Sequence, residues 1–100
     1  MDTYTIFMHD DADNSRVASS AGARERYFTM LQQSGRLAGG SAIGGGLCVS
    51  KAYAARPITS HLAGYILVQA ESLDDAKTLL DGNPWLDAGG TVEIRALPRD

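Results

Sequence analysis

The apolar run from His61 to Ala70 constrains the fold more than any other feature of the sequence. Leu62, Ile66 and Val68 are near-continuous there with Tyr65 and Leu67, so both alternating faces carry apolar side chains. Such a run predicts a central strand buried on both faces. A central strand needs neighbours, and the rest of the chain offers them. Thr3 to Met8 is rich in β-branched and aromatic residues and predicts a strand. It sets Tyr4, Ile6 and Met8 on one face and Thr5, Phe7 and His9 on the other. Leu37 to Ile43 and Leu47 to Val49 flank Gly44-Gly45-Gly46, a hairpin signal. Thr91 to Leu97 alternates as a last strand. Ala52 to Ser60, with Arg56-Pro57 inside it, reads as a loop.

Two helices separate these strands. The polar stretch Asp10 to Ser15 supplies capping side chains, and a helix starts between Arg16 and Ser20 and runs to about Gln33. Ala23, Tyr27, Met30 and Leu31 keep helical spacing, and Ser34-Gly35 supplies the stop. Ser72 with Asp75 reads as a capping box for the second helix, which carries Leu73, Ala76, Leu79 and Leu80 inward. It stops at Gly82, and Asn83-Pro84 ends it. The order is β-α-β-β-β-α-β. Without the short hairpin strand it is βαββαβ, an α+β chain of ferredoxin-like pattern.

With 100 residues, the chain is a single domain, residues 1–100, with a thin core. Two helices cover one face of the sheet. The other keeps Phe7 and one alternating set of central-strand residues, either Tyr65 and Leu67 or Ile66 and Val68. The chain has no spare segment to cover them, so the expected cover is a second copy, a homodimer packed through its sheet faces. The net charge is −3 and the nine basic residues are scattered, which argues against nucleic acid as a partner. No apolar run approaches the roughly 20 residues of a membrane span, and no secretory apolar segment opens the chain. The single Cys48 cannot close an internal disulfide. The expectation is a soluble cytoplasmic protein with a reduced thiol.

Several stretches together resemble one family. They are Gly64-Tyr65-Ile66-Leu67-Val68, Glu71-Ser72-Leu73-Asp74-Asp75-Ala76, Asn83-Pro84 and Gly90-Thr91-Val92-Glu93-Ile94-Arg95. A helix bearing Tyr27 and Leu31, then Ser34-Gly35-Arg36-Leu37 and Gly39-Gly40, agree more loosely. In order and spacing the chain resembles YCII-related proteins, with Lys51 to Ser60 unmatched. The resemblance implies a ferredoxin-like fold that dimerises as an α+β barrel, with one small-molecule cleft per subunit. It also marks departures. Many members carry a His where this chain has Arg24, and an Asp where it has Asn83. The His/Asp acid–base pair proposed for those members is absent. Arg24 cannot serve as a base near neutrality, and Asn83 does not titrate. Both can bind an anionic or carbonyl group. The related DGPF-type motif has no counterpart in Arg56 to Ala63.

The remaining candidates for chemistry are few. His9 ends the first strand beside Asp10 and Asp11, an arrangement that orients an imidazole for acid–base work. A solvated strand end, where His9 merely caps polar backbone, is the simpler explanation. His61 begins the central strand, and antiparallel pairing of first and central strands places it near His9. Two His with Asp10 form a metal triad only if all three converge, and two unrelated polar caps account for them more simply, so no metal is expected. Ser41 follows Gly39-Gly40, where backbone approaches a ligand closely. No nucleophile elbow or phosphate loop is present. Cys48 reads as a small buried residue, and Trp85 as a packing residue that also suits a cleft wall. Glu93 and Arg95 share one face of the last strand, a solvated face by default. The expectation is a cofactor-free acid–base enzyme on a small polar or aromatic molecule. His9 and Asp10 would be catalytic, and Arg24, Ser41, His61 and Asn83 would hold the substrate. The alternative is a non-catalytic ligand-binding or assembly module with the same cleft. The glycines support a ligand-accessible edge, since Gly39-Gly40 and Gly44 to Gly46 cluster on one hairpin.

Overall fold

The apolar run at residues 62–70 forms β5 (Leu62–Ala70), and β1 (Asp2–His9) pairs with it along nearly its whole length. The structure, a computed structural model, describes residues 1–12, 20–52, 54, 56–57 and 61–99. β2 (Leu37–Ala42) lies on the other side of β5, and β6 (Val92–Leu97) on the other side of β1. The order is β2-β5-β1-β6 and every neighbouring pair is antiparallel. This is a small α+β fold with a four-stranded antiparallel sheet, consistent with the ferredoxin-like pattern.

The register aligns one apolar set. Ile6 pairs with Ile66 and Ile94, and Tyr4 with Val68 and Ala96. Ile6, Ile66, Val68 and Ala70 have no exposed surface. The intervening Tyr65 and Leu67 are only half-buried. β5 is therefore buried on one face rather than two. A continuous apolar run leaves open which alternate residues meet the helices, and here the even-numbered ones do. The other face also carries Thr3, whose Oγ1 accepts from Gln69 Nε2 at 2.9 Å.

α1 (Ala21–Gln33) is capped by Ser20, whose Oγ accepts from Ala23 N at 3.3 Å. The cap lies at the late end of the expected start; residues 13–19 lie outside those described. Tyr27 and Leu31 are buried, while Ala23 and Met30 are partly so. Ser34-Gly35 ends the helix, with Gly35 at φ 73°.

Three details depart from the sequence reading. The glycine run at 44–46 does not close a hairpin on β2. Instead β3 (Leu47–Cys48) pairs with β4 (Arg56–Pro57) as a separate two-stranded ladder, so part of the expected 52–60 loop is strand. Three glycines carry no side chains to hold a register, and the pairing is decided further along. α2 (Leu73–Thr78) is short, and Leu73, expected inward, is 54% exposed. Of the other positions expected inward, Ala76 and Leu80 are buried and Leu79 is half-buried. Asn83-Pro84, read as a stop, also begins α3 (Pro84–Asp87). Proline at the first helical position needs no amide partner there, so the same dipeptide that ends one helix suits the start of another. Among the described residues no helix is long and apolar enough to cross a membrane.

Candidate functional site

A cleft of about 570 Å³ opens between α1, β2 and the first half of β5. β1 contributes Met8, α1 contributes Arg24 and Phe28, and Trp85 stands at the start of α3. β2 lines it with Leu37, Gly39, Gly40, Ser41 and Ala42, and β5 with Ala63, Gly64 and Tyr65. After Leu37, β2 carries only small side chains or none, Ala38, Gly39, Gly40, Ser41 and Ala42. Gly40 lies at φ 154°, and a Cβ there would meet the Tyr65 carbonyl oxygen at 2.6 Å. Glycine is thus required for β2 to lie this close to β5.

Each wall has a local cause. Trp85 is buried, with 8% of its surface exposed, and Asn83 fixes the turn that carries it. The Asn83 Oδ1 accepts from Trp85 N at 3.0 Å and Leu86 N at 3.1 Å. Gly90 N closes the segment by donating to the Trp85 carbonyl at 2.9 Å. Arg24 reaches over the indole, with its guanidinium carbon 5.0 Å from the ring centroid, a cation–π stack. Three residues along the helix, Tyr27 donates to the Leu79 carbonyl at 2.7 Å. Burial pushes the Tyr27 phenol up from its ordinary range, and the neighbouring Asn83 amide partly offsets this.

Arg24 and Ser41 both line this one cleft. The Ser41 hydroxyl is exposed and donates to the Ala42 carbonyl at 2.9 Å. Asn83 is fully buried and lies behind Trp85, outside the lining. His9, Asp10 and His61 are also outside the lining. Antiparallel pairing does bring the two histidine segments side by side: Asp10 N donates to the His61 carbonyl at 2.9 Å. Among the described residues no three His, Cys, Asp or Glu side chains converge as metal ligands would.

The partner of His9 is Glu93 rather than Asp10. His9 Nε2 lies 3.3 Å from Glu93 Oε1, and Arg95 Nη1 donates to Glu93 Oε2 at 3.0 Å. Arg95, then His9, hold the Glu93 carboxyl below the usual carboxylate range. Asp11 is engaged elsewhere. Its carboxylate accepts from the Thr91 hydroxyl at 2.6 Å and from Thr91 N at 2.8 Å, which lowers it in turn. Sequence proximity pointed to Asp10. The true partner comes from β6, and the Phe7–Glu93 register that delivers it is invisible until strand order is known. Phe28, Leu37 and Met8 were likewise legible only as apolar residues, with no sign that they wall a cleft.

No family model matches the chain, and no curated protein matches it in sequence. Among solved structures, the chain is similar in fold to 5-chloro-2-hydroxyhydroquinone dehydrochlorinase from Burkholderia phenoliruptrix AC1100, in complex with 2,5-dihydroxybenzoquinone. The two share 13% identity at a TM-score of 0.60, over 98% of this chain and 95% of the other.

Proposed function

We propose that the chain is a divergent YCII-related protein that binds a small organic molecule in the cleft between α1 and β2, as a homodimer paired through its open sheet faces. The observation that carries the binding reading is the lining. A largely apolar cleft of about 570 Å³ with a few polar groups, Arg24 and Ser41, is the usual form of a small-molecule site. The fold neighbour is an enzyme holding a small cyclic molecule, which agrees with this reading without carrying its reaction across.

The test is a shift map of ¹⁵N-labelled protein against a fragment library of mixed charge and shape. Binders are expected to move the amides of residues 39–42 and 63–65 together with the Trp85 indole. A library whose hits leave those amides still overturns the reading.

An acid–base enzyme is the second reading, and the His9–Glu93 pair favours it. Histidine is the side chain suited to proton transfer near neutrality, and His9 with Glu93 stands on the helix-free face of the sheet, opposite the Met8 side chain, so such a site would be separate from the cleft. Glu93 would orient the ring, replacing Asp10 in that role. In a turnover screen on hydroxylated aromatic compounds, His9→Gln should abolish any activity found while leaving cleft binding in place. Full activity in that variant would leave binding as the only function.

A further inference from the structure

We infer that the ligand of this cleft is an N-acylated amino-acid amide, one residue with an amide on each side and an apolar side chain; the inference rests on the cleft being a ligand site. The backbone part comes from β2. It is an end strand of the sheet, and among the described residues no strand lies along its outer side. The other end strand, β6, carries Glu93 and Arg95, charges of the kind that blunt a sheet edge. β2 has no charged residue and no proline. In an antiparallel ladder, pairs that exchange both hydrogen bonds alternate with pairs that exchange none. Ile43 N donates to the Ala63 carbonyl at 3.1 Å, so the next pair facing inward is Ser41 with Tyr65. Gly40, opposite Ile66, then turns its N–H and C=O away from β5. Ala42 does the same, but its carbonyl already accepts from the Ser41 hydroxyl at 2.9 Å. Gly40 therefore offers a donor and an acceptor side by side, and a residue's own C=O and N–H answer both. The register shift between Leu37 and Gly39 interrupts this edge, which suits a single residue rather than a long strand.

The side chain follows from the same register. Residues paired across neighbouring strands share a face of the sheet. Ile66, on the inner side of Gly40, has no exposed surface and faces the helices. A residue paired on the outer side of Gly40 therefore sends its side chain to the helix layer, where Phe28, Leu37 and Trp85 wall the cleft. Gly40 has no side chain to stand in the way, and the Tyr65 carbonyl oxygen, 2.6 Å from where a Cβ would lie, excludes one. The walls are aromatic and aliphatic, so the side chain that fills the space between them is apolar. A second copy of β2 would bring only Ala, Gly and Ser to this edge after its Leu37, and would leave that space empty.

Trp85 is the only tryptophan, so its indole N–H resonance reports the cleft directly. Four probes separate the parts. N-acetyl-phenylalanine N-methylamide should shift the Trp85 indole and move the Gly40 amide proton downfield, the direction of a new hydrogen bond. Methylating the phenylalanine nitrogen removes the donor aimed at the Gly40 carbonyl. That probe should bind about tenfold more weakly, the order of one lost hydrogen bond whose partner is left unpaired. A dimethylamide at the other end removes an N–H that points away from β2, and it should bind like the first probe. N-acetylglycine N-methylamide keeps both backbone groups and should bind about tenfold more weakly or worse for want of a side chain. The inference fails, and the cleft remains a ligand site, if the two methylated probes bind alike or the glycine probe matches the phenylalanine one. It fails in the same way if the indole moves while the Gly40 amide stays still, or if library fragments bind the cleft and none of the four probes does. If no probe and no library fragment reaches the cleft, both fall.

Discussion

At position 83 one side-chain oxygen serves two backbone donors, Trp85 N and Leu86 N. α3 is a single turn of four residues, and Pro84 has no amide to give, so these two donors are most of what a cap must satisfy. Asn83 is wholly enclosed, and without its oxygen the Trp85 amide would be left without that partner. Asn83→Ala should therefore cost about 1–2 kcal/mol, the range for a lost cap. Asn83→Ser keeps a capping oxygen and should recover a good part of it. Urea unfolding measures both, and the midpoint should move while the slope stays fixed. Equal midpoints for parent and Ala variant would show that the cap is dispensable. Because Trp85 hangs from this turn, the Ala variant should also shift the tryptophan emission, which ties a structural residue to the wall of the cleft.

Between elements, Arg36 and Asp75 tie the entrance of β2 to α2. Arg36 Nη1 donates to Asp75 Oδ2 at 2.8 Å and to the Gln69 carbonyl at 3.2 Å. The same carboxylate accepts from Glu71 N at 2.9 Å. The Glu71 amide first, and Arg36 second, hold the Asp75 carboxyl below the usual carboxylate range. A carboxyl with a depressed folded pKa stabilises the fold above its unfolded pKa, near 4, and that contribution is lost as pH falls through the folded value. Asp75→Asn should therefore flatten the loss of stability below about pH 4, read as thermal midpoints across an acid series. An unchanged acid slope would remove Asp75 from the account. The same element shows what sequence can carry. Ser72 and Asp75 were legible as cap and third residue, and Asp75 N does donate to Ser72 Oγ at 3.1 Å. The reciprocal bond of a capping box is missing, since the carboxylate turns to Glu71 and Arg36, and Arg36 is distant in sequence. Strands β1, β5 and β6 were legible within a residue at either end because their side chains alternate or cluster by local rules. The β3–β4 ladder and the His9–Glu93 pair were not, because each depends on which distant strand lies alongside. For the cleft, Arg24, Ser41 and Trp85 could be picked out as residue types, but their meeting is a product of topology.

For the whole molecule, the dimensions carry the argument. The principal extents are 45 × 39 × 18 Å, so the chain is a broad slab. A sheet and one helix layer account for the thin dimension, since packed layers lie about 10 Å apart. The helix-free face of the sheet keeps Phe7, Tyr65 and Leu67 half-buried. Polar groups frame them: Thr3 with Gln69 on one side, and His9, Glu93 and Arg95 on the other. An apolar centre with a polar rim is the anatomy of an interface. A two-fold pairing of identical faces closes on itself and leaves no sheet face open, which an indefinite stack would not. A stable pair needs about 800 Å² from each partner, and a slab of this breadth can supply it. Sedimentation at micromolar concentration should then give a dimer. Leu67→Lys places a charge at the centre of the pairing while leaving Ile66 and Val68 against the helices. It should yield a monomer whose far-ultraviolet circular dichroism matches the parent. A parent that sediments as a monomer would leave the face to solvent and end the dimer proposal. A Leu67→Lys variant that stays dimeric would move the contact elsewhere on the molecule.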